Sequence, residues 1–76
     1  MNTPRRKSLQ EILEQLTPLR DELETLKDEE QEYYDNMPEG IQMSERGEKA
    51  ETAISNLESA MDSIAEAACY IEEATA

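Results

Sequence analysis

The stretch AISNLESAMDSIAEAACYIEEA, residues 53–74, decides the fold. An alanine recurs at every seventh position, and larger apolar residues recur beside these alanines at helical spacing. The alanines are Ala53, Ala60, Ala67 and Ala74, and the neighbouring positions hold Ile54, Leu57, Met61, Ile64, Ala68 and Ile71. This spacing predicts one helix with a continuous apolar stripe. Because small side chains let a neighbouring helix approach closely, we expect the alanine column to pack against another helix. The helix propensity of alanine is the alternative explanation.

A second apolar stripe runs through the first half of the chain. Its members alternate at spacings of three and four: Leu9, Ile12, Leu16, Leu19, Leu23, Leu26, Glu30, Tyr33 and Met37. Ser8 followed by Glu11 has the pattern of a capping box, which predicts a helix over about residues 8–36. Residues 1–7 are then a basic, polar lead-in. A start at Thr3, with Pro4 in the first turn, is the alternative.

Proline and glycine divide the chain between these two stripes. Pro18 lies off the first stripe, so we expect it to kink the first helix, with a break as the alternative. Pro38 and Gly40 predict a turn over about residues 37–43. Ser44 has the chemistry of an N-cap, which predicts a second helix over about residues 44–74.

The two stripes are in phase when the chain folds back about Gly40. Leu23 then lies opposite Leu57, and Tyr33 lies opposite Gly47. The sequence therefore predicts an all-α fold, an antiparallel helical hairpin with a heptad seam, as a single domain over residues 8–76. We also expect Gly40 to adopt a backbone conformation that favours glycine.

One hairpin of this size buries little apolar surface, so we expect it to dimerise into a four-helix bundle. The interface is predicted at small or apolar residues that lie beside the seam and need cover. These are Leu13, Ala53, Ala60, Ala65, Ala67 and Ala74.

Composition narrows the class of function. Nineteen acidic residues against seven basic ones give a net charge of −12, which argues against direct contact with nucleic acid or with anionic membranes. The chain has no histidine and one cysteine, and we expect no enzyme activity, no metal and no cofactor. The start of the chain lacks the apolar segment of a signal peptide, so a cytoplasmic location is expected.

Two surfaces are candidates for binding a partner. The first is the acidic outer surface, where Glu14, Asp21, Asp28 and Asp35 recur every seven residues. It either mimics a DNA backbone toward a basic or DNA-binding protein, or is an ordinary solvated helix face. The second is the turn, where aromatic, methionine and acidic side chains suit a protein contact, with a polar hairpin end as the alternative. The candidate partner-binding residues there are Glu32, Tyr34, Asp35, Met37, Glu39 and Met43.

The run DEEQEYYDNMPEGIQMSERGE, Asp28 to Glu48, resembles a motif of short acidic helical-hairpin proteins encoded by phages and other bacterial mobile elements. The resemblance extends from about Leu23 to the end of the chain and leaves out residues 1–22. It implies no particular activity, only an accessory role in the bacterial host. We therefore expect a non-enzymatic interaction module that binds and inhibits a host or phage protein. A purely structural coiled-coil oligomer is the alternative.

Overall fold

The computed structural model describes residues 1–76, which form an all-helical, elongated molecule with principal extents of 58 × 15 × 13 Å. Its elements are α1 (Thr3–Asp35), α2 (Glu39–Gln42) and α3 (Glu45–Thr75). The long helices α1 and α3 lie side by side, and the short helix α2 packs against the start of α3. The hairpin architecture expected from the two stripes is therefore present.

α1 begins before the predicted start at Ser8. The Asn2 side chain caps the helix, because its Oδ1 accepts a hydrogen bond from the backbone N–H of Arg5 at 2.9 Å. Pro4 lies in the first turn, where its missing N–H costs nothing. The basic residues of the expected lead-in are consequently helical. The helix also continues through Pro18, which excludes a break at that position.

The turn is more ordered than a loop. The Pro38 carbonyl accepts hydrogen bonds from the N–H groups of Ile41 and Gln42, at 2.8 and 3.0 Å, and this closes α2. The Gln42 side chain then donates to the carbonyl of Tyr34 at 3.0 Å, which ties α2 to the end of α1. Ser44 precedes α3 at the N-cap position, but its hydroxyl donates back to the Ile41 carbonyl instead of capping the helix.

Two expectations about glycine are wrong. Gly40 lies inside α2 and has no positive φ. Gly47 is buried, but it packs against the backbone of Gln42 and not against Tyr33. A Cβ at residue 47 would overlap the Gln42 carbonyl. The reason is α2: this extra turn of helix folds over the start of α3 and takes the place that the simple pairing assigned to the tyrosine ring.

The larger surprise is the rotation of α1. Four residues of α1 that the stripe did not include are half-buried: Leu13, Arg20, Lys27 and Tyr34. Each of them directly follows a residue that the stripe placed inward. Half of the predicted stripe lies inward as expected, because Leu9, Leu16, Leu23 and Glu30 are half-buried and Met37 is buried. The other half points outward, with Ile12, Leu19, Leu26 and Tyr33 exposed at 44%, 49%, 52% and 46%. Arg20 and Lys27 are half-buried where the two leucines are exposed, and their charged ends reach Glu24 and Asp28. Long side chains of this kind can bury the aliphatic stem while the charged end stays in water.

Candidate protein-binding face

One long side of the hairpin is apolar. Its α1 half is the outward column described above, and its α3 half is the alanine column. Ala53 and Ala60 are half-buried there, whereas Ala67 and Ala74 are exposed. We call this surface the apolar face, and it consists of Ile12, Leu19, Leu26, Tyr33, Ala53, Ala60, Ala67 and Ala74.

Contacts at the turn end show that both halves lie on the same side. The Arg46 guanidinium donates a hydrogen bond to the Tyr33 hydroxyl at 2.9 Å and lies 6.0 Å from the centre of that ring. Arg46 precedes Ala53 by seven residues, so it continues the alanine column, just as Tyr33 continues the leucine column. The hydrogen bond to Tyr33 raises the pKa of Arg46.

The edges of the apolar face carry few charges. At 100° per residue, the next column outward on α1 holds Gln15, Glu22 and Glu29. The corresponding column on α3 contains no acid, and it consists of Lys49, Asn56, Ser63 and Tyr70. Tyr70 is 63% exposed. A mixed polar rim around an apolar centre is the usual layout of a protein interface.

The opposite side is acidic. Glu14 and Glu72 line one groove together with Gln10, Leu13, Thr17 and Ala68, which places the two acidic columns on one side. We call this surface the acidic face, and its carboxylates are Glu14, Asp21, Asp28 and Asp35 from α1 and Glu51, Glu58 and Glu72 from α3. All of them are exposed.

The two adjacent tyrosines of α1 belong to different sides. The Tyr34 hydroxyl donates to the Glu51 carboxylate on the acidic face. This hydrogen bond, together with some burial and the nearby charge, raises the pKa of Tyr34. Tyr33 meets Arg46 on the apolar face. Consecutive residues of α1 thus have partners of opposite charge: Tyr33 accepts a hydrogen bond from the Arg46 guanidinium, and Tyr34 donates one to the Glu51 carboxylate.

The six candidate partner-binding residues at the turn do not form one surface. Met37 is buried, and Tyr34 is half-buried with its hydroxyl bonded to Glu51. Asp35 accepts from the Gln31 side chain at 3.0 Å. Glu32 and Glu39 are exposed, and Met43 is 79% exposed. Met43 is therefore the one apolar side chain of this set that is open to a partner.

The candidate interface residues divide among three surfaces. The four alanines lie on the apolar face. Leu13 is half-buried between α1 and α3, where it lines the groove of the opposite side. Ala65 is exposed in the column of Glu51, Glu58 and Glu72. Only the alanines can take part in a single contact with another helix pair.

Metal sites and membrane spans each need a particular arrangement of side chains. No group of three or more His, Cys, Asp or Glu side chains is placed to hold a metal ion. Cys69 is exposed, and its closest polar partner is the Glu73 carboxylate at 4.0 Å. None of the helices combines the length and the apolar character needed to cross a membrane.

No protein-family model, curated protein or solved structure matches this chain.

Sequence reasoning found the alanine half of the apolar face and assigned the other half to the interior. The missed residues are Ile12, Leu19, Leu26 and Tyr33. A signal was present, because Leu13, Arg20, Lys27 and Tyr34 form an adjacent column with long stems that can cover a neighbouring helix. Either column can face α3, and the column that does so leaves the other one exposed. In the structure the column of Arg20 faces inward and the column of Leu19 is exposed.

Proposed function

We propose that this chain is a non-enzymatic protein-interaction module that binds protein through its apolar face. The observation that supports this is the outward column of Ile12, Leu19, Leu26 and Tyr33, each about half exposed. An exposed apolar surface that is surrounded by polar residues often marks a protein-binding site. From Ile12 to Tyr33 it extends about 31 Å along the helix, at 1.5 Å per residue.

The rotation of α1 adds a second line of support. A hairpin that functions alone gains most by turning its leucines toward α3, since each buried leucine contributes about 1.5–3 kcal/mol. Here Arg20 and Lys27 take those places, and Leu19 and Leu26 stay outside. An arrangement with Leu19 and Leu26 on the outside is favourable when a partner protein covers these leucines.

The biological setting is part of the proposal. We propose a small accessory protein of a phage or mobile element that acts in the cytoplasm of the bacterial host and inhibits a host protein. The support is the resemblance of the Asp28–Glu48 run, together with the exposed Met43 at the turn. A purely structural oligomer is the alternative, in which the apolar face builds the assembly and no further protein is bound.

The acidic face suggests a second candidate function, mimicry of a nucleic-acid backbone toward a basic or DNA-binding protein. Its support is the segregation of carboxylates: Asp21 and Asp28 recur on one side at two helical turns, about 10.8 Å apart. A solvated face that maintains solubility is the simpler explanation of the same charges.

Affinity capture from a bacterial host lysate tests the apolar face. Three baits are compared: the natural chain, Leu19→Glu and the matched control Thr17→Glu. Both substitutions add one carboxylate to the same turn of α1, but residue 17 is exposed on the acidic side. We expect the natural chain and the control to retain the same proteins, and Leu19→Glu to lose them. Equal capture by all three baits shows that host proteins do not bind through the apolar face.

The acidic face needs its own variant. Asp21→Asn combined with Asp28→Asn removes two carboxylates and leaves the apolar face intact. Loss of a basic protein from this bait alone, reproduced in the natural bait by higher salt, supports backbone mimicry. Unchanged capture rules mimicry out and leaves solubility as the role of these charges.

A further inference from the structure

We infer that a second copy of this chain occupies the apolar face, related to the first by a two-fold axis parallel to the helices. In this dimer α1 of each copy packs on α3 of the other, and both turns lie at the same end. The inference rests on the proposed function, because it names the partner that the apolar face binds.

The first argument is that the apolar face is complementary to itself. Its large residues and its alanines recur with the same seven-residue spacing. Because Tyr33 is level with Arg46, the pairs at one level are Leu26 with Ala53, Leu19 with Ala60 and Ile12 with Ala67. A two-fold axis along the hairpin places the large column of one copy over the alanine column of the other. Large side chains then enter the space that small ones leave, on both sides of the axis at once.

The second argument is the lack of an interior. Only 5 of the 76 residues are buried, and no large side chain is fully buried. A chain of this size that orders two long helices needs more burial than one seam supplies. A second copy turns the apolar face into the centre of a four-helix bundle.

The size of the face is compatible with such a dimer. The whole side of a body 58 × 15 Å across has an outline of about 870 Å², so a contact near the roughly 800 Å² per partner of a stable interface needs the two copies to overlap along their full length. The acidic face stays on the outside of this dimer, so the charges that repel one another are kept away from the contact.

Charge at the rim decides the orientation. Tyr33 is level with Arg46 across the hairpin, so one turn earlier Glu29 is level with Lys49. With both turns at the same end, the Glu29 rim of one copy lies beside the Lys49 rim of the other, and the charges are opposite. With the turns at opposite ends, α1 lies on α1, and full overlap of the columns brings Glu22 beside Glu22 of the second copy. The first arrangement is the favourable one.

Sedimentation tests the dimer itself. At moderate salt, which screens the net charge of −12, we expect twice the chain mass of 8.7 kDa. Ala60→Glu is expected to weaken self-association at least about 100-fold, because it places a charge at the centre of the contact. Ser59→Glu, exposed on the outer surface, is expected to change it less than about threefold.

A readout on the natural chain does not depend on the folding of any variant. The thermal midpoint of a dimer rises with protein concentration, whereas that of a monomer does not. A midpoint that is constant over a wide dilution series, with sedimentation at the mass of one chain, overturns the inference.

Crosslinking tests the orientation. In a Cys69→Ser background, Glu29→Cys combined with Lys49→Cys places thiols on opposite rims of one chain, out of reach of each other. We expect a short bis-maleimide to join two chains through them, and to leave the Glu22→Cys chain uncrosslinked. The reverse pattern overturns the shared turn end and shows the arrangement with opposite ends.

The failure of this inference and the failure of the proposed function give different results. A monomeric natural chain whose captured host protein is lost in Leu19→Glu rejects the second copy and keeps the binding face. A chain in which neither self-association nor capture responds to Leu19→Glu rejects both.

Discussion

The two long sides of this hairpin are built from the same two helices and differ completely in chemistry. The apolar face presents leucine, isoleucine, tyrosine and alanine, and the acidic face presents carboxylates at the same seven-residue spacing. An ordinary amphipathic helix has one apolar and one polar direction. Each long helix here has three directions: one toward its neighbour, one apolar and one acidic. The amphipathic character therefore belongs to the hairpin as a unit and not to either helix alone.

The net negative charge is unevenly distributed between the two sides of the hairpin. Most of the carboxylates that produce −12 are on the acidic face or on the outer ridges, and Glu22 and Glu29 are the acids at the edge of the apolar face. Repulsion between copies is therefore weakest where apolar contact is strongest. The four predictions below test this division between the sides, beginning with the largest effect.

Exchanging neighbouring residues should abolish the apolar face without changing composition. Leu19→Arg, Arg20→Leu, Leu26→Lys and Lys27→Leu, made together, move both leucines toward α3. We expect self-association to fall at least about 100-fold while helical content is kept, because the leucines now stabilise the single hairpin. Sedimentation and circular dichroism measure the two quantities. Persistent dimers would mean that the outward leucines are not at the contact.

Gly47 lies where α2 folds over the start of α3, and the absence of a side chain there lets the Gln42 backbone approach closely. A methyl group at Gly47 meets the Gln42 backbone, which cannot move cheaply, so Gly47→Ala should lower the free energy of unfolding by roughly 1–3 kcal/mol. Gly40→Ala is the matched control: it is helical with open space around it, and should gain up to about 1 kcal/mol. Urea unfolding of both variants at one protein concentration measures this. If Gly47→Ala and Gly40→Ala changed the free energy of unfolding equally, the close contact of Gly47 with the Gln42 backbone would not matter for stability.

Reversing the charges at the rim tests how the two apolar faces are oriented, because it shows whether Glu29 of one copy faces Lys49 of the other. Glu29→Lys and Lys49→Glu are each expected to weaken self-association by a few fold, since exposed ion pairs contribute about 0.2–1 kcal/mol. The double variant restores opposite charges and should return to nearly the natural affinity. Sedimentation equilibrium at low salt gives the three constants. Additive losses in the double variant would show that these residues do not face each other.

The two tyrosines provide the smallest and most local test. Because Glu51 raises the pKa of Tyr34, folding holds that phenol proton more tightly than the unfolded chain does. The resulting stabilisation is complete below the ordinary tyrosine value of 10.0 and is lost as pH rises through the higher folded value. An ultraviolet titration should lose its most alkaline step in Tyr34→Phe, and that step should move to lower pH in Glu51→Gln. An unchanged titration in both would place Tyr34 away from the acidic face.

The architecture follows from the sequence alone. Two apolar stripes of helical period, separated by Pro38 and followed by Ser44, allow little other than two long helices folded back on each other. The alanine column was also visible, since its strict spacing does not depend on how the helices meet. Asn2 and Pro4 mark the helix start by local chemistry, although Ser8 and Glu11 offered a competing signal.

The tertiary structure alone decided which residues face which side. Along α1, the columns of Leu19 and of Arg20 are neighbours, and both can cover α3, one with leucines and the other with aliphatic stems. A repeat in sequence gives the period of a stripe but not the rotation of its helix. That rotation is decided by the packing of α1 on α3, which joins residues far apart in sequence and exists only once the chain has folded back on itself.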